Sequence, residues 1–194
     1  MMDTSHNNSS PDGEGAHDRL RIFPVYTIEP PLATLMLENL CKMALNDPYQ
    51  SINIVFHSFG GVVHESLAVI DAIHEARNLL RGDAKIYGIV HGYCYSAASF
   101  ILQQCDVRKM SSNGLMMLHG MHAGAQGSKK KMRGEVKEMD MLNNILLPMY
   151  TARSHKTIEE WEDLLDEDTP LYLTADEAFD WGLIDEIVKV EVPK

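Results

Sequence analysis

From position 19 onward, apolar residues follow two alternating rhythms, short β-branched runs and longer stretches spaced at three and four. Ile22-Phe23-Pro24-Val25-Tyr26 reads as a short strand, and Pro30-Pro31 breaks the chain before a helical run with Leu35, Leu37, Leu40 and Met43. Ser51 to Phe56 carries Ile52, Ile54, Val55 and Phe56, a nearly continuous apolar run that suits a strand covered on both faces. His57-Ser58-Phe59-Gly60-Gly61 follows as a turn. Val63, Leu67, Ile70, Ile73, Ala76 and Leu80 then line one face of a helix that stops at Gly82-Asp83. Lys85 to Val90, Val107 to Met110 and Leu115 to Leu118 read as further strands, and Ser96 to Gln104 as a helix. The alternation predicts an α/β fold with parallel strands joined by right-handed crossovers and helices packed on the sheet.

Lys129 to Arg153 breaks this rhythm, because Met132, Val136, Met139, Leu142, Leu146 and Met149 form one long stripe with charged residues between. It predicts a projecting helix, bent or restarted at Pro148, where a backbone hydrogen bond is lost. The spacings Thr157 to Glu160 and Thr174 to Glu177 fit capping boxes, so two short helices are expected to start there. Residues 1–18, with only Met1, Met2 and Ala16 as apolar side chains, read as a flexible polar tail before a domain over 19–194.

Composition narrows the class. With Lys+Arg at 17 against Asp+Glu at 28, the net charge of −11 argues against nucleic acid or an anionic membrane as main partner. Cys41, Cys94 and Cys105 are an odd set in a chain of 194 residues and read as reduced thiols in a cytoplasmic compartment. No apolar stretch reaches the roughly 20 residues that span a bilayer, and the first residues lack the order of a signal peptide.

Candidate chemistry gathers at two turns that follow apolar strands, Gly60-Gly61 and Gly92-Tyr93-Cys94-Tyr95-Ser96-Ala97-Ala98-Ser99. Ser96 opens a helix, where free amides favour a negative oxygen beside it, although a serine there also serves as an ordinary cap. Gly60-Gly61 lacks side chains and lets its amides approach a carbonyl closely. A serine nucleophile needs a base, and His119, at the end of Leu115-Met116-Met117-Leu118, is the natural candidate, with an orienting acid expected between Glu159 and Asp168. His119 and His122 could be read as metal ligands, but no third ligand stands at a sensible spacing, so neither a metal nor a cofactor is expected. Lys129-Lys130-Lys131 with Arg133 is the one basic cluster, and it reads as a solvated face.

Taken together, these residues resemble the ClpP family of serine peptidases over about residues 20 to 190. Ile54-Val55-Phe56-His57-Ser58-Phe59-Gly60-Gly61-Val62-Val63 is similar to the family's Ser-Pro-Gly-Gly-x-Val strand end, with Phe59 in the proline's place. The Gly92 to Ser99 run resembles its nucleophile motif, with Cys94 and Tyr95 replacing two alanines. Met116-Met117-Leu118-His119 matches the strand delivering the base. Leu173-Thr174-Ala175-Asp176-Glu177-Ala178 and Gly182-Leu183-Ile184-Asp185 follow its closing signature.

The resemblance implies a crotonase-like head of parallel strands and helices with a long handle helix, about 129–153, stacked as homo-oligomeric rings around a chamber. It implies Ser96 as nucleophile, His119 as base, Gly61 and Ala97 as oxyanion donors, and Asp168, or second Asp166, as the acid. It also implies peptide or unfolded-protein substrates, strand addition beside Gly124-Ala125-Gln126-Gly127, and an AAA+ unfoldase as partner. Two other readings are a non-catalytic ring subunit and a crotonase-type acyl-CoA enzyme.

Overall fold

The computed structural model describes residues 21–120, 128–165 and 169–190. The expected tail, His122, the segment 124–127 and both candidate acids, Asp166 and Asp168, lie outside these residues. In chain order the elements are β1 (Ile22–Val25), α1 (Leu32–Asn46), β2 (Ile52–Ser58), α2 (Val63–Leu79), β3 (Ile86–Tyr95), α3 (Ala97–Leu102), β4 (Val107–Ser111), β5 (Leu115–Leu118), α4 (Lys129–Thr151), α5 (Ile158–Leu165), β6 (Leu171–Thr174), α6 (Ala175–Asp180) and β7 (Glu186–Val188).

The seven strands form one sheet in the order β1-β2-β3-β4-β7, with β5 branching from the end of β3 and β6 pairing with β5. Every pairing is parallel except β5 with β6, where Leu118 lies opposite Leu171 and Leu115 opposite Thr174. The mixed α/β architecture with a parallel sheet is therefore the one the alternating pattern predicts. Along β2, Ile52, Ile54 and Phe56 are buried, as are Ile86, Val90 and Cys94 along β3, in one core with Met36 and Leu40 of α1, Ile70 and Ile73 of α2 and Ile101 of α3. Full burial of each such side chain contributes about 1.5–3 kcal/mol.

The intervening residues correct one expectation. Asn53 and Val55 are half-buried and His57 is exposed, so β2 is covered on one face of the sheet rather than on both. The apolar run alone could not distinguish these cases, because Val55 is apolar on a face that the chain itself leaves open. Tyr87, Ile89, Tyr93 and Tyr95 of β3 are likewise only half-buried, and His91 is exposed.

Three further boundaries differ from the pattern. His57 and Ser58 complete β2 instead of starting a turn, and β3 runs on through Gly92 to Tyr95 because β5 supplies a new partner. The strands β6 and β7 are too short for the period of two to be visible in the sequence. Helix α4 continues through Pro148. The proline and Asn144, whose carbonyl loses its partner, are both exposed, which leaves that group open to solvation, and the Ala152 amide bonds the Pro148 carbonyl at 2.9 Å. Both capping boxes form as expected: Thr157 and Glu160 exchange amide bonds of 2.7 and 3.2 Å, and Thr174 and Glu177 of 2.8 and 3.3 Å.

Cys41, Cys94 and Cys105 are free, the last two buried. Burial raises the Cys94 thiol far above its usual range and pushes that of Cys105 up to about 12. Among the described residues no helix is long and apolar enough to cross a membrane.

Candidate active site

Strand pairing brings the candidate residues together. Tyr93, Cys94 and Tyr95 at the end of β3 lie beside Leu115, Met116 and Met117 of β5, and the Ser96 amide donates to the Met117 carbonyl at 2.8 Å. One residue later β5 ends, and His119 emerges next to Ser96. The His119 Nε2 is 2.8 Å from Ser96 Oγ, and its Nδ1 is 2.6 Å from the Gly120 carbonyl oxygen. A proton on Nδ1 donated to that carbonyl leaves the Nε2 lone pair facing the hydroxyl, which is the tautomer a base requires.

Ser96 lies between β3 and α3 with φ 53° and ψ −126°. Such a conformation in a residue with a Cβ costs on the order of 1–3 kcal/mol and persists only where the surroundings impose it. Its hydroxyl makes no cap bond to α3, so the cap reading of this serine is not the one the geometry takes. Ser96 and His119 are both half-buried.

The Gly60-Gly61 turn is built against this serine. A Cβ on Gly60, which has φ +93°, would stand 2.8 Å from Ser96 Cβ, 2.7 Å from the Tyr95 carbonyl oxygen and 3.0 Å from the Ala97 nitrogen. Only glycine lets the turn approach so closely and keeps the Ala97 amide uncovered. The turn is anchored through Ile28, whose amide donates to the Gly60 carbonyl at 3.0 Å and whose carbonyl accepts from Val62 at 2.7 Å, while Gly60 N–H donates to Ser58 Oγ at 3.1 Å. Among the described residues the amides of Gly61 and Ala97 donate to no partner. Two free donors beside a hydroxyl in contact with an imidazole can stabilise an oxyanion formed on that hydroxyl's target.

Gly120 is tightly placed as well, since a Cβ there would meet the Leu165 carbonyl oxygen at 2.1 Å. The chain thus enters 166–168 from a residue packed on Gly120 and returns to pair Leu171 with Leu118. Asp166 and Asp168 belong to this undescribed segment. Among the described residues no group of three or more His, Cys, Asp or Glu stands close enough to hold a metal ion.

Sequence reading missed the aromatic wall around the turn. Phe59 and Tyr95, each adjacent to one of the two turns, have ring centroids 5.8 Å apart, Tyr93 lies 4.3 Å from Phe59, and Tyr172 of β6 lies 5.9 Å from Tyr95. These rings come from three distant segments, Phe59 after β2, Tyr93 and Tyr95 on β3 and Tyr172 on β6, and only the departures at Phe59 and Tyr95 from the resembled motifs hinted at them. A family model described as Clp protease matches residues 15–191.

Proposed function

This chain belongs to the Clp protease family, and from that premise we propose that it is a serine endopeptidase acting through an acyl-enzyme on Ser96. The observation that carries the reading is the 2.8 Å contact between Ser96 Oγ and His119 Nε2 at a strained strand-to-helix turn. His119 takes the hydroxyl proton as Ser96 Oγ attacks the scissile carbonyl. The oxygen that becomes negative accepts from the amides of Gly61 and Ala97. The imidazolium then gives its proton to the departing amine, and a water deprotonated by His119 releases the acyl group.

Asp168 is proposed as the acid that supports the imidazolium, with Asp166 second. The support is that the segment containing both leaves from Leu165 against Gly120 and returns beside Leu118, on the strand that carries His119. The substrates proposed are peptides and unfolded chains, which fit the accessible turn and its aromatic rim. A homo-oligomeric ring is proposed because the outer face of β2 and β3, with Val55, Ile89 and Tyr93 half-buried, is left open by the chain's own helices, whereas parallel sheets are ordinarily covered on both faces. An AAA+ unfoldase partner and a cytoplasmic location are part of the same proposal.

Mass-spectrometric mapping of a fluorophosphonate on the assembled protein tests it. Labelling of Ser96 with casein cleavage that disappears in Ser96→Ala is the expected result. An unlabelled Ser96 with no casein cleavage would overturn it and favour a non-catalytic ring subunit.

A further inference from the structure

The strained turn at Ser96 has to be held, and its hydrogen bonds show by what. The Ser96 carbonyl accepts from the Ser99 amide at 2.9 Å and from Ser99 Oγ at 2.5 Å. A carbonyl oxygen can only accept, so the single hydroxyl hydrogen of Ser99 points at it. Tyr150 Oη lies 2.5 Å from the same Ser99 Oγ, and since that hydrogen is already committed, Tyr150 must be the donor. The direction of the chain of bonds is therefore settled: Tyr150 O–H to Ser99 Oγ, Ser99 O–H to the Ser96 carbonyl.

Both side chains are shielded from water, Ser99 at 0% and Tyr150 at 1% exposed. The Tyr150 ring comes from the last turn of α4 and is fixed between Phe100 and Trp161, with centroids at 4.7 and 5.0 Å. Its burial raises the phenol far above its ordinary range, against the smaller lowering by Ser99, so the donor keeps its proton.

The Ser96 carbonyl shares one planar trans peptide unit with the Ala97 N–H, and the two point in opposite directions. Holding the carbonyl inward aims the Ala97 amide outward, beside Gly60 and the Ser96 side chain. We infer that Ser99 and Tyr150 are positioning residues that orient the Ala97 oxyanion donor, linking α4 to the reacting turn. The inference rests on the peptidase reading of Ser96. An oxyanion donor acts on charge that develops after binding, so its misalignment lowers kcat and leaves KM. The loss is partial, because the Ser99 backbone amide still holds the carbonyl when either hydroxyl is removed.

The test compares Tyr150→Phe, Ser99→Ala and the double variant, all as assembled protein, by peptide kcat and KM, inhibition by a peptide boronate, and melting temperature. Tyr150→Phe keeps the packed ring and loses only the hydroxyl. We expect each single variant to lose about tenfold in kcat at unchanged KM. Boronate binding should weaken in parallel, and the double variant should be no worse than Ser99→Ala alone. Unchanged kcat in both single variants overturns the inference. So do losses that multiply in the double variant, or that track the melting temperature with KM and kcat moving together. Wild-type protein whose Ser96 is not acylated by a fluorophosphonate overturns the peptidase reading and this inference with it. Acylation of wild type and Tyr150→Phe at equal rates overturns the inference alone.

Discussion

Two polar constellations in this chain are each assembled from distant segments, one around Arg108 and one around Ser96, and they differ in how fully their hydrogen-bonding groups are used. Arg108 is 3% exposed, and its Nε and Nη2 bond the Asp185 carboxylate at 3.0 and 2.6 Å. Its Nη1 reaches Gln103 Oε1 at 2.6 Å and the Arg153 carbonyl at 3.3 Å. The backbones of residues 108 and 185 are tied too, by Arg108 N–H to the Asp185 carboxylate at 2.7 Å and Asp185 N–H to the Arg108 carbonyl at 2.8 Å. At Ser96 the balance is reversed: the backbone is strained, the amides of Gly61 and Ala97 donate to no partner among the described residues, and the hydroxyl meets the His119 imidazole. Saturation of this kind stabilises a fold, because each buried group left unpaired would cost about 1–3 kcal/mol. Unused donors on a held, accessible turn are what a reaction needs.

Substitutions that act on one constellation and spare the other sharpen this contrast. The largest effect is expected from Ser96→Ala, which should lower casein or peptide cleavage by at least about 1,000-fold while the melting temperature of the assembled protein barely moves. Asp185→Asn should do the opposite. It leaves the Arg108 charge buried without its partner, and a loss of about 3 kcal/mol in denaturant unfolding is expected. Fluorophosphonate labelling per folded protein should be retained.

Gly60→Ala breaks the contrast by reaching both sides at once. The new methyl group meets Ser96 and the Tyr95 carbonyl at a positive φ, so a stability loss of about 2 kcal/mol should accompany slower acylation. If Gly60→Ala acylates at the wild-type rate, the turn is not part of the reacting site.

The smallest effect concerns pH. Partial burial pushes the Asp185 carboxyl up, but the hydrogen bonds from the Arg108 side chain and amide and the charges of Arg108 and Arg153 outweigh it, so its pKa is lowered. A lowered carboxyl contributes stability that is complete above the ordinary carboxylate range, about pH 4, and is lost as pH falls below it through the depressed value. The melting-temperature gap between wild type and Asp185→Asn should therefore be widest near neutrality and narrow towards pH 3. A gap constant over that range would contradict the assignment.

Much of the architecture was legible because its signals are local. The helix from Val63 follows from period and the strand at Leu115–Leu118 from a short apolar run, and Thr157 and Thr174 mark helix starts through groups three residues apart. What failed depended on neighbours distant in the sequence. Nothing in Gly92-Tyr93-Cys94-Tyr95 announces that β5 will extend β3, and nothing in Ile52–Phe56 says which face the helices cover. Pro148 does not restart the helix as one alternative had it, because the cost of a proline depends on whether the freed carbonyl can reach water.

The order of residues by itself determined most of the helices and the longer strands, the family and the short list of candidate site residues, since helix period, strand period, caps and turn glycines are properties of neighbouring residues. Only the folded chain decided that Ser96 meets His119 and not α3, that Gly60 presses on the same turn, and that Tyr150 reaches Ser99 from α4. Those contacts join residues tens of positions apart, and their distances are set by strand register and packing, which no local pattern encodes.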